Sequence, residues 1–352
     1  MTPEEGRRLF PVLERLAYLN AGTFGPLARP TVDAIREQLD DDLANGRFGK
    51  EYFERALQLR LDARAALGGL VGADPAQVAL TGSTTDGCNI VLAGLDLQPD
   101  AEVVTTSQEH FGLLGPLRAS GARIVVAEPD PEAILAAVTP RTRLLALSHV
   151  LWTSGRLLPL RELRERTGVP VLADGAQSVG AIPVDAAGLD FLTISGQKWL
   201  CGPDSTGALV VADPDALRIA RPSYFSQRSY EPGGSFEPAE GAARFDPGWI
   251  SNATLAGLLA AIAVRPEWAF ERAATQTARC RSLLELYGEV VPGDATLVAF
   301  RTEDPAALVA TLAERGVVVR DMPGTGLVRA SCGWWTSEED LQRLVEGVRE
   351  TS

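Results

Sequence analysis

Two apolar runs each end in one charged side chain. In "VPVLADGAQSVG", residues 169–180, the charge is the acid Asp174; in "FLTISGQKWLCGP", residues 191–203, it is the base Lys198. Either residue alone is commonplace, since Asp-Gly pairs make turns and most lysines sit at the surface. The setting is less ordinary. In an open parallel sheet ligands bind beyond the carboxyl ends of the strands, and both residues stand at such ends. A lysine between two apolar runs faces partial burial, which lowers its pKa and makes its amine a nucleophile suited to Schiff-base chemistry. A carboxylate facing the same pocket suits a cofactor whose ring nitrogen must stay protonated. Pyridoxal 5'-phosphate (PLP) needs both.

Such a cofactor also needs a phosphate cradle. "LTGSTTDGCNIVLAGL", residues 80–95, runs from a strand end through Gly82, Ser83, Thr84 and Thr85 into an apolar helix, where backbone N–H groups bind phosphate and hydroxyls add donors. An ordinary Ser/Thr helix cap reads the same way. Ser195 and Gln197, just before the lysine, complete the candidate cradle. The chain has two histidines, His110 and His149, each just past a strand end in this region. The ring of His110 is placed to stack on a pyridine.

The positioning elements follow from periodicity. Short apolar runs at 78–80, 102–106, 123–128, 143–148, 169–174, 191–195 and 207–212 read as strands, with helices between them at 85–95, 131–137 and 158–167. Strands apolar on both faces and separated by helices predict an α/β fold with a mostly parallel seven-stranded sheet between helices. Residues 221–248, rich in Gly, Pro, Ser and aromatics, read as a long functional loop. One long helix is expected from 251 to about 280. A smaller α+β unit follows, with strands near 296–301, 317–321 and 327–331 and helices at 305–315 and 337–350. The expected division is a large cofactor-binding domain over 20–250 and a small C-terminal domain over 251–352, with residues 1–19 packing on the latter.

Composition narrows the partners. With 33 basic against 46 acidic residues, the net charge is −13, and no basic run is present; this argues against nucleic acid and anionic membrane surfaces. Neither a signal peptide nor an 18-residue apolar span is found, so a cytoplasmic enzyme with a small-molecule substrate is expected. Cys88, Cys201, Cys280 and Cys332 are scattered without metal-ligand or disulfide-framework spacing, so no metal site is expected.

Taken in order, "YLNAGTFGPL", "STTDGCNIVLAGLD", "QEHFG", "LSHVLWTSGRLLPL", "ADGAQSVGAIPVD", "SGQKWLCGP", "RPSYFSQRSY" and "VRASC" resemble the class V aminotransferase family of fold type I PLP enzymes. That family holds cysteine desulfurases, isopenicillin N epimerase-like proteins and cysteine/cystine C–S lyases, and the likeness is greatest to the lyases. The resemblance implies a homodimer acting on an amino acid. It makes Lys198 the residue that bonds PLP and the catalytic base, Asp174 the partner of the pyridinium nitrogen, Gln177 a donor to the phenolic oxygen, and His110 the stacking ring. Thr84, Thr85, Ser195 and Gln197 hold phosphate. Arg329 grips the substrate carboxylate, for which an arginine fork is well shaped, with Asn20 and Trp152 in the substrate set. For the tryptophans Trp152, Trp334 and Trp335 a plain core or interface reading stands beside one in which a ring lines the substrate pocket. Two departures stand out: Gln197 occupies the usual place of a histidine, and Trp249 that of a threonine given to the partner's phosphate.

Removal of the substrate's α-proton opens several outcomes. A β-sulfur substituent can leave, giving pyruvate, ammonia and a thiol or persulfide; reprotonation gives epimerisation; proton return to the cofactor gives transamination. Fold and cofactor do not choose among them. A desulfurase also needs a mobile cysteine, which in the family shortly precedes the carboxylate-binding arginine. Here "VVVRDMPGTGLVRAS", 317–331, is short and holds no cysteine. A C–S β-lyase is therefore the expected activity, with an epimerase, an aminotransferase or a desulfurase as alternatives.

Overall fold

A computed structural model describes residues 1–351. The helices are α1 (Pro3–Arg8), α2 (Arg29–Asn45), α3 (Gly49–Leu70), α4 (Thr84–Gly94), α5 (Phe111–Ala119), α6 (Pro131–Ala136), α7 (Leu160–Thr167), α8 (Asn252–Ala263), α9 (Ala269–Leu284), α10 (Pro305–Glu314) and α11 (Glu338–Thr351). The strands are β1 (Ala17–Tyr18), β2 (Val78–Thr81), β3 (Glu102–Thr106), β4 (Arg123–Ala127), β5 (Thr142–Ser148), β6 (Val171–Asp174), β7 (Phe191–Ser195), β8 (Gly207–Val211), β9 (Gln227–Tyr230), β10 (Phe236–Pro238), β11 (Leu297–Arg301), β12 (Val317–Val318), β13 (Arg320–Met322) and β14 (Leu327–Ser331).

Seven strands form the main sheet in the order β2-β8-β7-β6-β5-β3-β4. The pairs from β7 through β4 are parallel; β8 alone runs against its neighbours β7 and β2. The carboxyl ends of β2, β7, β6, β5 and β3 therefore open on one side. Inside the edge strand β4, whose Val126 is exposed, the strands are apolar on both faces because each face is covered: Leu80, Leu145, Leu147, Val171 and Ile194 pack with α3, α7 and α8 residues, while Val103, Leu144, Leu172 and Leu209 pack with α4 and α5.

A second, antiparallel sheet, β11-β14-β13, carries α9, α10 and α11, and its core holds Val298, Phe300, Leu312, Val328 and Leu344. The first residues of the chain join this sheet's neighbourhood: β1 pairs in parallel with β12, and Arg7 makes a two-pronged ion pair with Asp340 at 2.6 and 2.9 Å.

Three expectations are corrected. The long helix over 251–280 is two helices, because Pro266 lacks an N–H and clashes with the preceding turn. α8 packs on α2 and α3, and its Leu255 and Leu258 enter the main-sheet core. The 221–248 loop contains the β9–β10 hairpin and two short 3-10 turns, Tyr224–Ser226 and Gly241–Phe245. The strand near 317–321 is two short strands, β12 pairing with β1 and β13 with β14. α2 and α3 were not foreshadowed by the apolar pattern: α2 buries only Thr31, and α3 buries Arg60 and Arg64 on Asp246.

Candidate active site

The site assembles where adjacent strands end. A narrow cleft is lined by Thr84, His110, Ser148, Trp152, Asp174, Gln177 and Lys198, supplied by the ends of β2, β3, β5, β6 and β7. Asp174 closes β6 and is buried; Ala176 N–H donates to its Oδ1 at 3.0 Å and Thr193 Oγ1 at 3.4 Å. Lys198 sits in the turn after β7, three residues before Cys201, which adopts φ 55°. The neighbouring N-terminal loop clamps this turn: Gly25 N–H donates to the Gln197 carbonyl at 2.8 Å, and a Cβ on Gly25 would lie 2.1 Å from the Lys198 carbonyl, so only glycine fits.

Desolvation pushes the Lys198 ammonium below the usual lysine range, opposed by the charge of Asp174 and assisted by Arg329 and Arg320. Lys198 and Lys50 are the only lysines in the chain, and Lys50 lies exposed on α3. His110 caps α5: its Nδ1 accepts from Gly112 N–H at 3.0 Å, which leaves Nε2 to carry the proton of the neutral ring. Desolvation and the nearby Lys198 charge lower its pKa against the pull of Asp174, which favours the uncharged imidazole. Its ring meets Trp152 edge-on at 5.1 Å.

Arg329 is 0 % exposed and has no acidic partner among the described residues. Its Nη1 donates to the Trp152 carbonyl at 2.6 Å, its Nη2 reaches Thr23 Oγ1 at 3.5 Å, and its Nε is unpartnered. Burial, with Arg320 nearby, pulls its pKa down to about 9. Arg320 Nη1 also donates to Thr23 Oγ1, at 3.2 Å, and this guanidinium too has no acidic partner among the described residues. Two cations converge on one hydroxyl with no counter-ion, and a buried cation without a partner is costly. An anion such as a carboxylate completes this arrangement.

The other candidates take varied places. Thr84 lines the cleft at the start of α4, and no side-chain partner of its hydroxyl or that of Thr85 is found among the described residues. Ser195 Oγ donates to Gln197 Oε1 at 2.8 Å, leaving the Gln197 amide nitrogen free. These donors around a helix N-terminus fit a phosphate. Gln177 is engaged within the protein: Nε2 donates to the Gly22 carbonyl at 2.8 Å and Oε1 accepts from Trp199 Nε1 at 3.0 Å. Asn20 Oδ1 accepts from Thr23 Oγ1 at 2.9 Å, one step behind the arginines. Trp334 and Trp335 pack with Phe10 and Trp268 at 5.4 to 5.7 Å, in the core and away from the cleft, whereas Trp152 lines it. His149 donates its backbone N–H to the Asp174 carbonyl, but its side chain faces a different cleft beside Leu158 and Asp185. Thr23, Ser148 and Glu109 escaped the sequence reading; only Glu109, adjoining His110 in "QEHFG", offered a signal. Beyond Trp152 lies a cavity of about 750 Å³ bordered by Gln108, Thr153, Arg156 and Asp294.

The Aminotransferase class-V family profile matches residues 17–344. The chain belongs to the class V aminotransferases. Among characterised family members, it is 30% identical to isopenicillin N epimerase of Amycolatopsis lactamdurans over 95% of this chain and 94% of that one. It is 25% identical to the cysteine desulfurase CsdA of Escherichia coli over 98% and 96%. The cystine C–S lyase C-DES, solved with its product cysteine persulfide, superposes with a TM-score of 0.90 at 29% identity, covering 96% of this chain and 98% of that one. A mutant of C-DES carries glycine covalently linked to its PLP cofactor, and it also superposes with a TM-score of 0.90. As a class V aminotransferase with the fold type I architecture, this chain is a PLP-dependent enzyme.

Proposed function

We propose that this class V aminotransferase is a C–S β-lyase that cleaves cysteine, cystine or an S-substituted cysteine to pyruvate, ammonia and a thiol or persulfide. One observation carries the choice within the family: all four cysteines are buried, so no thiol is presented to accept sulfur. Desolvation drives the thiols of Cys88 and Cys201 upward, away from the reactive thiolate.

The residues of the cleft fit PLP. Lys198 would bond it, Asp174 would face its ring nitrogen, His110 would lie on its ring, and Thr84, Thr85, Ser195 and Gln197 would hold its phosphate. The bound cofactor supplies an electron sink that makes the α-proton of an amino acid removable. Arg329, with Arg320 beside it, binds the substrate carboxylate in a two-pronged contact and so orients the α-carbon toward Lys198. Released when the substrate's own amine takes its place, the Lys198 amine, depressed by burial, would take the α-proton at Nζ. Neutral His110, fixed by Gly112, keeps a flat, uncharged wall opposite. Trp152 closes the cleft against water, and the cavity beyond it gives an S-substituent room.

A second reading, epimerisation, is favoured by the 30% identity to an epimerase over nearly the full chain. Incubation of a panel of S-substituted cysteines in deuterated water, without an α-keto acid, separates the two. Pyruvate release supports the lyase; recovered substrate of inverted configuration carrying deuterium at the α-carbon supports the epimerase. We also propose a homodimer, on the evidence of outward apolar residues on α3 and at Trp249. The protein has no helix among its described residues long and apolar enough to cross a membrane.

A further inference from the structure

The acid beside His110 has no part in the chemistry above. Glu109 lies in the turn between β3 and α5 and is 6 % exposed. Thr106 Oγ1 donates to its Oε1 at 2.8 Å, Ser148 N–H donates to Oε2 at 3.0 Å and to Oε1 at 3.2 Å, and the Ser148 hydroxyl donates to Oε2. No lysine or arginine pairs with it among the described residues. Ser148 is the last residue of β5, stands in register with Asp174 on β6, and lines the cleft. The Glu109 carboxylate therefore joins the strand end that presents His110 to the strand end that adjoins Asp174, across 39 residues of sequence.

We propose that Glu109 is a positioning residue that holds the His110 turn against the Ser148–Asp174 edge of the cleft and whose charge governs how tightly that edge keeps a proton. The inference rests on the reading of the cleft as the PLP site. The charged or titratable groups around Glu109 are Asp174 from β6, Cys88 from α4 and His110 on its own turn; the donors from β3 and β5 are neutral. Burial pushes the Glu109 pKa up to about 7, the Ser148 and Thr106 donors oppose the rise, and Asp174 adds to it. The residue thus gains its negative charge as pH passes through neutrality. A negative charge at this place favours the protonated form of a base facing Asp174. Above neutral pH Glu109 reinforces Asp174; below it, Glu109 acts by position alone.

The test follows the visible absorbance of the PLP-loaded enzyme against pH in the wild type, Glu109→Gln and Thr106→Val. Glutamine retains the size of the side chain and the contact to Ser148, whose hydroxyl can turn, but does not titrate. Valine at 106 removes one donor to Glu109 without touching the cleft. The midpoint is expected to fall by about one pH unit in Glu109→Gln, the usual size of a charge effect in folded proteins. In Thr106→Val, where Glu109 stays protonated to higher pH, it falls by less. Glu109→Ala, which removes the tie as well, is expected to weaken PLP binding at least tenfold, with glutamine restoring it. A Glu109→Gln curve that superposes on that of the loaded wild type overturns the inference while leaving the PLP site standing. A wild type that takes up no PLP at Lys198 overturns the site reading itself, and the inference with it.

Discussion

Arg329 is the side chain whose setting is hardest to explain without a ligand, being fully buried, cationic and without an acid. Its replacement by alanine is expected to raise KM, costing about 2 to 5 kcal/mol of binding, as removal of one partner of a buried charge pair does. Arg320→Ala should cost less, because Arg320 sits farther out and shares only Thr23. Loss of the Arg329 charge also removes one influence that lowers the Lys198 pKa. The acid limb of kcat/KM in Arg329→Ala should therefore move to higher pH. Asp174→Asn should retain PLP but lower kcat about 100-fold or more, since a neutral amide no longer stabilises the protonated ring nitrogen. With only Lys50 as a competitor, borohydride reduction should fix the cofactor to the peptide containing Lys198, as mass spectrometry would show. Lys198, Asp174 and His110 were legible in the sequence because charged or titratable residues at the ends of apolar runs are few. Thr23, Ser148 and Glu109 were not: they work by hydrogen bonds between strands far apart in the chain, and nothing in their local pattern separates them from ordinary polar residues.

Among the elements, α3 presents Phe53, Leu57 and Leu61 at four-residue spacing, 39 %, 43 % and 57 % exposed. Trp249 stands against Phe53 at 5.9 Å and against Phe225 at 5.4 Å and extends this face. An apolar stripe of this kind on a surface helix points to a protein partner, and a second copy of this chain is the proposed one. Leu57→Glu with Leu61→Glu should convert the dimer to monomer in light scattering. An unchanged mass would place the interface elsewhere. Gly25→Ala should displace the Lys198 turn and destabilise the fold by about 1 to 3 kcal/mol, the usual cost of overpacking. The seven main strands were legible because both of their faces are apolar. α2 and α3 were hidden because their apolar residues do not fall on one inward face: α3 buries Ala56, Ala63 and Leu67 beside Arg60 and Arg64 while Leu57 and Leu61 stay exposed, and on α2 Leu39 and Leu43 are exposed. The break between α8 and α9 was overlooked although Pro266 marks it, since the apolar pattern runs on across the proline.

At the scale of the whole molecule, we propose that the α8–α9 break marks the passage from a unit built on the main sheet to a unit built on β11-β14-β13, with the chain's first residues fastened to the second by β1 and Arg7. His149 belongs to the first unit, and desolvation pulls its pKa down to about 4. Between that value and the ordinary one of 6.5 the unfolded chain binds a proton that the folded chain refuses. The His149 contribution to stability should then fall by about 3 kcal/mol as pH drops from 6.5 to 4, while Glu109, raised to about 7, works in the opposite direction; the His149 part is read as the difference between the wild type and His149→Phe in the pH dependence of the urea midpoint. The most direct test of the lyase proposal is the fate of the three-carbon fragment. The enzyme is treated with iodoacetamide, which reaches no buried thiol, then given cystine and cysteine, and the products are quantified by mass spectrometry. Pyruvate formed at the rate of untreated enzyme, with thiol or persulfide in solution, is the predicted result. Alanine as the carbon product, lost on alkylation, would contradict it.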